Sequence, residues 1–358
     1  MMAQVLNDIE WGPPLVPPVV VPEWETEAKK RFGGSSDFLR RVAPVPWLRR
    51  AVATWTQYPI KALPVRMADL AFLVVAQENS CRYCYGAARA HMRILGYSER
   101  AISQIEREMQ LAELDPKDQA FIRFCRSLAR SNPRPARGQR QELIQVGFSQ
   151  QQVIEAAFLI VNNCFGNRVA TFIALPPVIG YERIGRSPLG RLLRPLLARA
   201  NRVSVPIPAD FVPAENEPFA PIIKPLVGHP AAYLLNETLR GAFDSPVLSR
   251  RVKALMFAVV ARILECRFCE PESRKLLHQE GLDDMEVDAS LSALALPKLD
   301  AREAAILAWV RDTVRYQPSQ IQARTRALAE VIGPEAALEA VGVAALANST
   351  VRLAMLLE

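Results

Sequence analysis

Apolar residues recur at intervals of three and four through two long blocks of the chain, 36–180 and 218–358, with Ala, Arg, Glu and Gln filling the positions between. That spacing lays one apolar stripe along a 3.6-residue helix, so both blocks are predicted to be helical. No segment reads as a strand, and the expected fold class is all-α. Proline is excluded from helix interiors and marks the connections. The run GPPLVPPVVVP ending at Pro22 predicts an extended polyproline II arm within residues 1–35. A second proline cluster between Pro176 and Pro230 is long for a loop, and 181–217 reads as a Pro- and Arg-rich interdomain linker. Apolar runs stay short of the roughly 18 residues of a membrane span. The richest, such as 255–261, lies between Lys253 and Arg262, and integral membrane contact is not expected.

The two blocks also match each other. AFLVVAQENSCRYC at 71–84 parallels MFAVVARILECRFC at 256–269, an offset of 185 residues. The same offset superposes Gly96 on Gly281, Leu114 and Asp115 on Leu299 and Asp300, Arg126 on Arg311 and Pro133 on Pro318. Toward the ends, NNCFGNRVATF at 162–172 aligns with ALANSTVRLAM at 345–355 after a shift of about one residue, which pairs Arg168 with Arg352. One offset held over such a length predicts a tandem duplication, with 36–180 as the first helical domain and 218–358 as the second. A chain of 358 residues has room for two such cores.

Half of the residues are hydrophobic and 23% are charged, a globular profile that excludes disorder for most of the chain. The net charge of +7 is a mild excess, read as ordinary surface charge, and no nucleic-acid partner is expected. Arg183, Arg186, Arg191, Arg194, Arg199 and Arg202 interleave with leucines in the linker. Pro188 and Pro195 interrupt that series, so packed leucines under solvent-facing arginines are expected rather than a membrane-docking helix. The N-terminus carries acidic residues and prolines where a secretory signal has a basic start and an apolar helix, which makes a cytoplasmic location the expectation.

Six cysteines are too few for a disulfide scaffold, but four of them form two Cys-x-x-Cys pairs, Cys81 with Cys84 and Cys266 with Cys269. Cysteines three apart at a helix start share a face and can close a disulfide, and the helix N-terminus favours a thiolate. Arg82 and Arg89 add positive charge near the first pair, opposed by Glu78, whereas Glu265, Glu270 and Glu272 surround the second. The first pair is therefore the expected redox site, and the second a structural or remnant pair. Zinc is the other use of four cysteines, yet the pairs stand too far apart in sequence for a zinc ribbon. No metal or cofactor is expected. Cys125 and Cys164 lie in apolar helical stretches and read as core thiols, and Asn163 and Arg168 as interhelical hydrogen-bond formers.

From Asp69 through Cys81-Arg-Tyr-Cys84 to Gly96 the chain resembles the signature of the carboxymuconolactone decarboxylase and alkylhydroperoxidase D superfamily. Redox members of that family carry a Glu, eleven residues, Cys-x-x-Cys, three residues and a His, on an all-helical domain that assembles into trimers or larger rings. The resemblance covers both blocks and implies two alkylhydroperoxidase D-like domains forming a pseudo-dimer within one chain, with three chains making a homo-oligomer. It implies a thiol-dependent hydroperoxide reductase: Cys84 attacks the peroxide, Cys81 resolves the sulfenate as a disulfide, and an external thiol or dithiol donor restores the pair. Asp69 stands at the position of the family Glu, and Ala88 at that of the His. His91 lies on the same helical face as Cys84 but about 10 Å along the axis, beyond direct proton transfer. In the second block Ala254 replaces the acid, Ser273 the His, and His278 corresponds to Arg93. The candidate catalytic set is Cys84, Cys81, Asp69 and His91, with Cys266 and Cys269 as a degenerate second site. Loss of the imidazole leaves a decayed scaffold or interaction protein as an alternative. A decarboxylase-like lyase is a further one, against which the Cys-x-x-Cys pair argues.

Overall fold

The computed structural model describes residues 6, 9–32, 34–107, 114–129, 136–187, 192, 207–208, 211–293 and 299–357. Among them every regular element is a helix, as the periodicity predicts. In chain order these are α1 (Pro22–Phe32), α2 (Asp37–Arg41), α3 (Pro46–Thr56), α4 (Val65–Glu78), α5 (Arg82–Leu95), α6 (Glu99–Glu106), α7 (Pro116–Ala129), α8 (Arg137–Gln145), α9 (Gln150–Phe172) and α10 (Ile179–Arg186). They are followed by α11 (Ala220–Ile223), α12 (Pro230–Asp244), α13 (Arg250–Ile263), α14 (Cys269–Gln279), α15 (Asp284–Ala293), α16 (Ala301–Asp312), α17 (Pro318–Ile332) and α18 (Pro334–Leu357).

Local chemistry sets the helix starts. Ser149 opens α9 with a capping box, its hydroxyl accepting the Gln152 N–H while the Gln152 side chain accepts the Ser149 N–H; Asp300 and Glu303 do the same for α16. Ser98 and Ser249 cap α6 and α13. The starts also keep step between the halves. α4 and α13 begin at 65 and 250, α6 and α15 at 99 and 284, and α7 and α16 at 116 and 301, each 185 apart. α9 and α18 begin at 150 and 334, 184 apart.

α4 packs on α5, α7 and α9, and α13 packs on α14, α16 and α18. The halves meet where α9 lies along α18 and α3 lies against α12. α18 is buried on every side from Ala336 to Leu356, its polar residues Glu339, Asn348 and Arg352 included. By length and composition it could cross a membrane, although Ala, Gly, Ser and Thr break up its continuous apolar runs. Here 94% of its most apolar window is buried inside the protein.

Each half also seals its α3–α4 type loop with a buried glutamate from its last long helix. Glu155 accepts from the Tyr58 hydroxyl at 3.0 Å and from the backbone N–H groups of Lys61, Ala62 and Leu63 at 2.7, 2.6 and 2.6 Å. Glu339 accepts from the Ser245 hydroxyl at 2.6 Å and pairs with the fully buried Lys253 at 2.8 Å.

Two segments differ from the sequence expectation. Residues 1–35 hold a helix, α1, because Pro22 sits at its start, glutamates occupy its first turn and Lys29, Lys30 and Arg31 its last. The extended stretch before it straps both halves: Trp11 donates to the Leu175 carbonyl at 2.9 Å, and Gly12 N–H to the Gln322 side chain at 2.9 Å. The linker begins with α10, which straddles the expected boundary at 180 and packs on α5. Of the linker arginines, Arg183 is exposed, while Arg191, Arg194, Arg199 and Arg202 lie outside the described residues.

Candidate functional site

α4 ends in a Schellman-type turn: Ser80 takes a left-handed conformation at φ 52°, and the Cys81 N–H reaches back to the Ala76 carbonyl at 3.0 Å. The chain then reverses, and Cys81 caps α5, its Sγ accepting the Cys84 N–H at 3.3 Å. Glu265 at φ 55° and the Cys266 N–H bond to Ala261 at 2.9 Å repeat this turn before the second pair.

Cys81 is fully buried and Cys84 is only 5% exposed. Burial pushes the Cys84 thiol well above the ordinary range, and its hydrogen bond to Cys81 and the charge there push the same way. This corrects the expectation of a thiol lowered by neighbouring arginines. Arg82 is bound to Glu182 through two contacts of 2.8 and 3.3 Å, and Arg89 lies against Glu106 at 2.7 Å and Glu99 at 2.7 Å. Glu78, the expected opposing acid, pairs with Arg126 at 3.3 Å. The arginine charges are thus neutralised before they reach the sulfur.

Asp69 and His91 come together, with Asp69 Oδ1 3.4 Å from His91 Nε2. The other ring nitrogen, Nδ1, faces the Tyr181 hydroxyl at 3.4 Å. α4 and α5 form an antiparallel hairpin, so an acid early in α4 meets a residue late in α5, and the pair sits two helical turns beyond Cys84 with the buried Ala88 between. Tyr181 and Glu182 both belong to α10, which lies across α5 at Gly86, where a Cβ would collide with the Glu182 carboxylate. Sequence reasoning missed both residues. The available signal was Gly86 itself, a glycine inside a helix, where it marks a close approach.

The floor of the site comes from elsewhere. Tyr316, from the second half, donates its hydroxyl to the Asn79 carbonyl at 2.9 Å, two residues before Cys81. Asn79 accepts from Arg168 Nη1 at 2.9 Å and donates to Cys164 Sγ at 3.5 Å. Arg168 thus bonds between helices as expected, whereas Asn163 donates within its own helix to the Leu159 carbonyl at 2.8 Å. Cys125 and Cys164 are fully buried.

At the second pair the Cys266 and Cys269 sulfurs stand 2.9 Å apart. Burial again raises the Cys269 thiol, followed by the Cys266 hydrogen bond and charge, and the Glu272 charge comes last. Glu270 is drawn off to Arg262 at 2.8 Å, so desolvation rather than the surrounding acids dominates here. Ser273, at the family His position, donates to the Cys269 carbonyl at 2.8 Å, and His278 turns outward to Asp284 at 3.2 Å. Among the described residues no three His, Cys, Asp or Glu side chains gather into a metal-binding group.

Fold and site together define an all-helical protein with a Cys-x-x-Cys pair set at the head of a helix in each half. No family model, curated protein or solved structure matches the chain.

Proposed function

We propose that the chain is a tandem alkylhydroperoxidase D-like protein, a duplicated helical domain folded as an internal pseudo-dimer, that reduces hydroperoxides with the Cys81–Cys84 pair. The observation that carries this reading is the Cys81 sulfur held at the α5 N-cap against the Cys84 N–H, which keeps two thiols within disulfide reach at a helix start. The offset of 185 in helix starts and the packing of like elements on each other, α9 on α18 and α3 on α12, support the pseudo-two-fold arrangement.

The Cys84 thiolate attacks the distal peroxide oxygen, the O–O bond breaks, and the departing alkoxide takes a proton to leave as an alcohol. Cys84 is thereby oxidised to a sulfenic acid. The Cys81 thiol displaces its hydroxyl as water and forms the disulfide, which an external thiol or dithiol donor reduces. Asp69 and His91 form the acid–base pair nearest along the same helix face, and they serve the alkoxide through water rather than directly. In the second half Ala254 and Leu276 stand at the positions of Asp69 and His91, and His278 pairs outward with Asp284, so the first half carries the activity. A cytoplasmic setting, where donors keep thiols reduced, and a homo-oligomer of three chains belong to the same proposal.

A second reading, a scaffold that retains the fold without turnover, is favoured by one observation: burial raises the Cys84 thiol where catalysis calls for a depressed one. Turnover of cumene hydroperoxide with dithiothreitol separates the two. The reductase reading expects Cys84→Ser to fall at least about a hundredfold and Cys266→Ser to match wild type. Equal slow rates for all three would leave the scaffold.

A further inference from the structure

Arg168 on α9 and Arg352 on α18 are both completely buried, where the two long helices pack on each other. Arg168 donates Nη1 to the Asn79 side chain at 2.9 Å and lies over the Tyr316 ring at 5.7 Å. Arg352 donates Nη1 to Asn348 Oδ1 at 2.6 Å and Nη2 to the Val314 carbonyl at 3.4 Å. These acceptors are all neutral, and among the described residues no carboxylate pairs with either guanidinium.

Arginine keeps its proton in proteins, so two like charges share this interior. Burial, with Arg168 adding repulsion, drives the Arg352 pKa down, the mark of a charge lacking compensation. A buried charge left unpaired costs several kcal/mol, so an interior holding two of them calls for a counter-charge. The surplus hydrogen-bonding groups point to its sign. Arg168 Nε, Arg352 Nε, Asn167 Nδ2 and the hydroxyls of Thr171, Ser349 and Thr350 are buried without partners, and every one of them can donate. Arg168 and Thr171 share a face of α9, and Ser349 and Arg352 a face of α18.

We propose that the α9–α18 contact binds one small anion of halide size between Arg168 and Arg352. Arg352 has both Nη1 and Nη2 engaged and retains only Nε, so it offers no paired fork of the kind a carboxylate or phosphate takes. A monatomic acceptor accepts single donors from several directions, as the unpartnered Nε, Nδ2 and hydroxyl groups here would supply them.

Crystals of the full chain grown in sodium bromide test this by anomalous scattering, with a bromide peak expected within hydrogen-bond distance of both Nε atoms. In solution, sodium chloride is expected to raise Tm over sodium gluconate at equal ionic strength. The rise should be about 2 °C for each tenfold increase above the dissociation constant, and Arg352→Met should abolish the difference. Should that variant fail to fold, the wild-type bromide map still decides. Bromide found only at the surface, or equal melting in chloride and gluconate, overturns the proposal. So does a thiolate absorbance near 240 nm that Cys164→Ser removes, because the counter-charge would then belong to the chain.

Discussion

At Cys84 a helix N-terminus and desolvation pull in opposite directions. The dipole is worth about 0.3–1 kcal/mol, less than one pKa unit, while full burial moves a thiol by several units. Burial therefore wins, and the Cys84 thiol is pushed up rather than down. Alkylation of Cys84 by iodoacetamide should rise with a midpoint above the free-thiol value of about 8.5, followed by mass spectrometry over pH 7–11. The same shift acts on stability. A thiol whose pKa is raised on folding holds its proton more tightly in the native state, so its contribution is complete below about pH 8.5 and is lost as pH rises toward the folded value. Cys125 and Cys269 shift in the same direction, so urea melts should show stability level near pH 7 and falling above pH 8.5; a curve flat to pH 10 contradicts this. Ser80 holds a left-handed backbone that costs a non-glycine residue about 1 kcal/mol. Ser80→Gly should raise the urea midpoint by a corresponding amount, and a lowered midpoint would show that the Ser80 side chain matters more than its backbone.

Among the helices, α10 lies against α5, the helix that Cys81 caps and that carries Cys84. It is joined to α5 by Glu182 on Arg82 and Tyr181 on His91, and its approach depends on Gly86. The groups that an added methyl would meet there are the ends of flexible side chains, so Gly86→Ala should fold, part the ion pair and speed Cys84 labelling several-fold at fixed pH. Unchanged labelling would mean that α10 is no barrier. Glu155 shows the opposite dependence on buried polarity. Glu155→Ala strands the N–H groups of Lys61, Ala62 and Leu63, and thermal melting should show a loss of about 3 kcal/mol or more. The helical character of both blocks was legible from apolar spacing, because that spacing is local. The charges around Cys84 were not. Glu182 is 100 positions from Arg82 and Tyr316 is 237 from Asn79, so no window around the Cys-x-x-Cys contains the groups that neutralise Arg82 or close the site from below.

Across the whole molecule the halves are one packed unit. Gly342 on α18 meets the Trp47 ring from α3, where a Cβ would lie 2.8 Å from a rigid aromatic carbon. Gly342→Ala should therefore lower stability by about 1–3 kcal/mol in urea melts without changing peroxide turnover per folded chain. The match between 71–84 and 256–269 made the recurrence visible in the sequence, but it could not reveal that α9 and α18 bring two arginines together at their contact. Light scattering checks the assembly, with about three times 39.8 kDa expected and a monomer of 39.8 kDa contradicting the ring.

The central claim is that a hydroperoxide oxidises the first thiol pair and leaves the second alone. One equivalent of cumene hydroperoxide added to the fully reduced chain, with rapid acid quench and peptide mapping, tests it most directly. One disulfide, Cys81–Cys84, is expected, and a sulfenate on Cys84 when Cys81 is changed to Ser. Recovery of the peroxide with both pairs still reduced, or a disulfide at Cys266–Cys269 with Cys81 and Cys84 untouched, would contradict it.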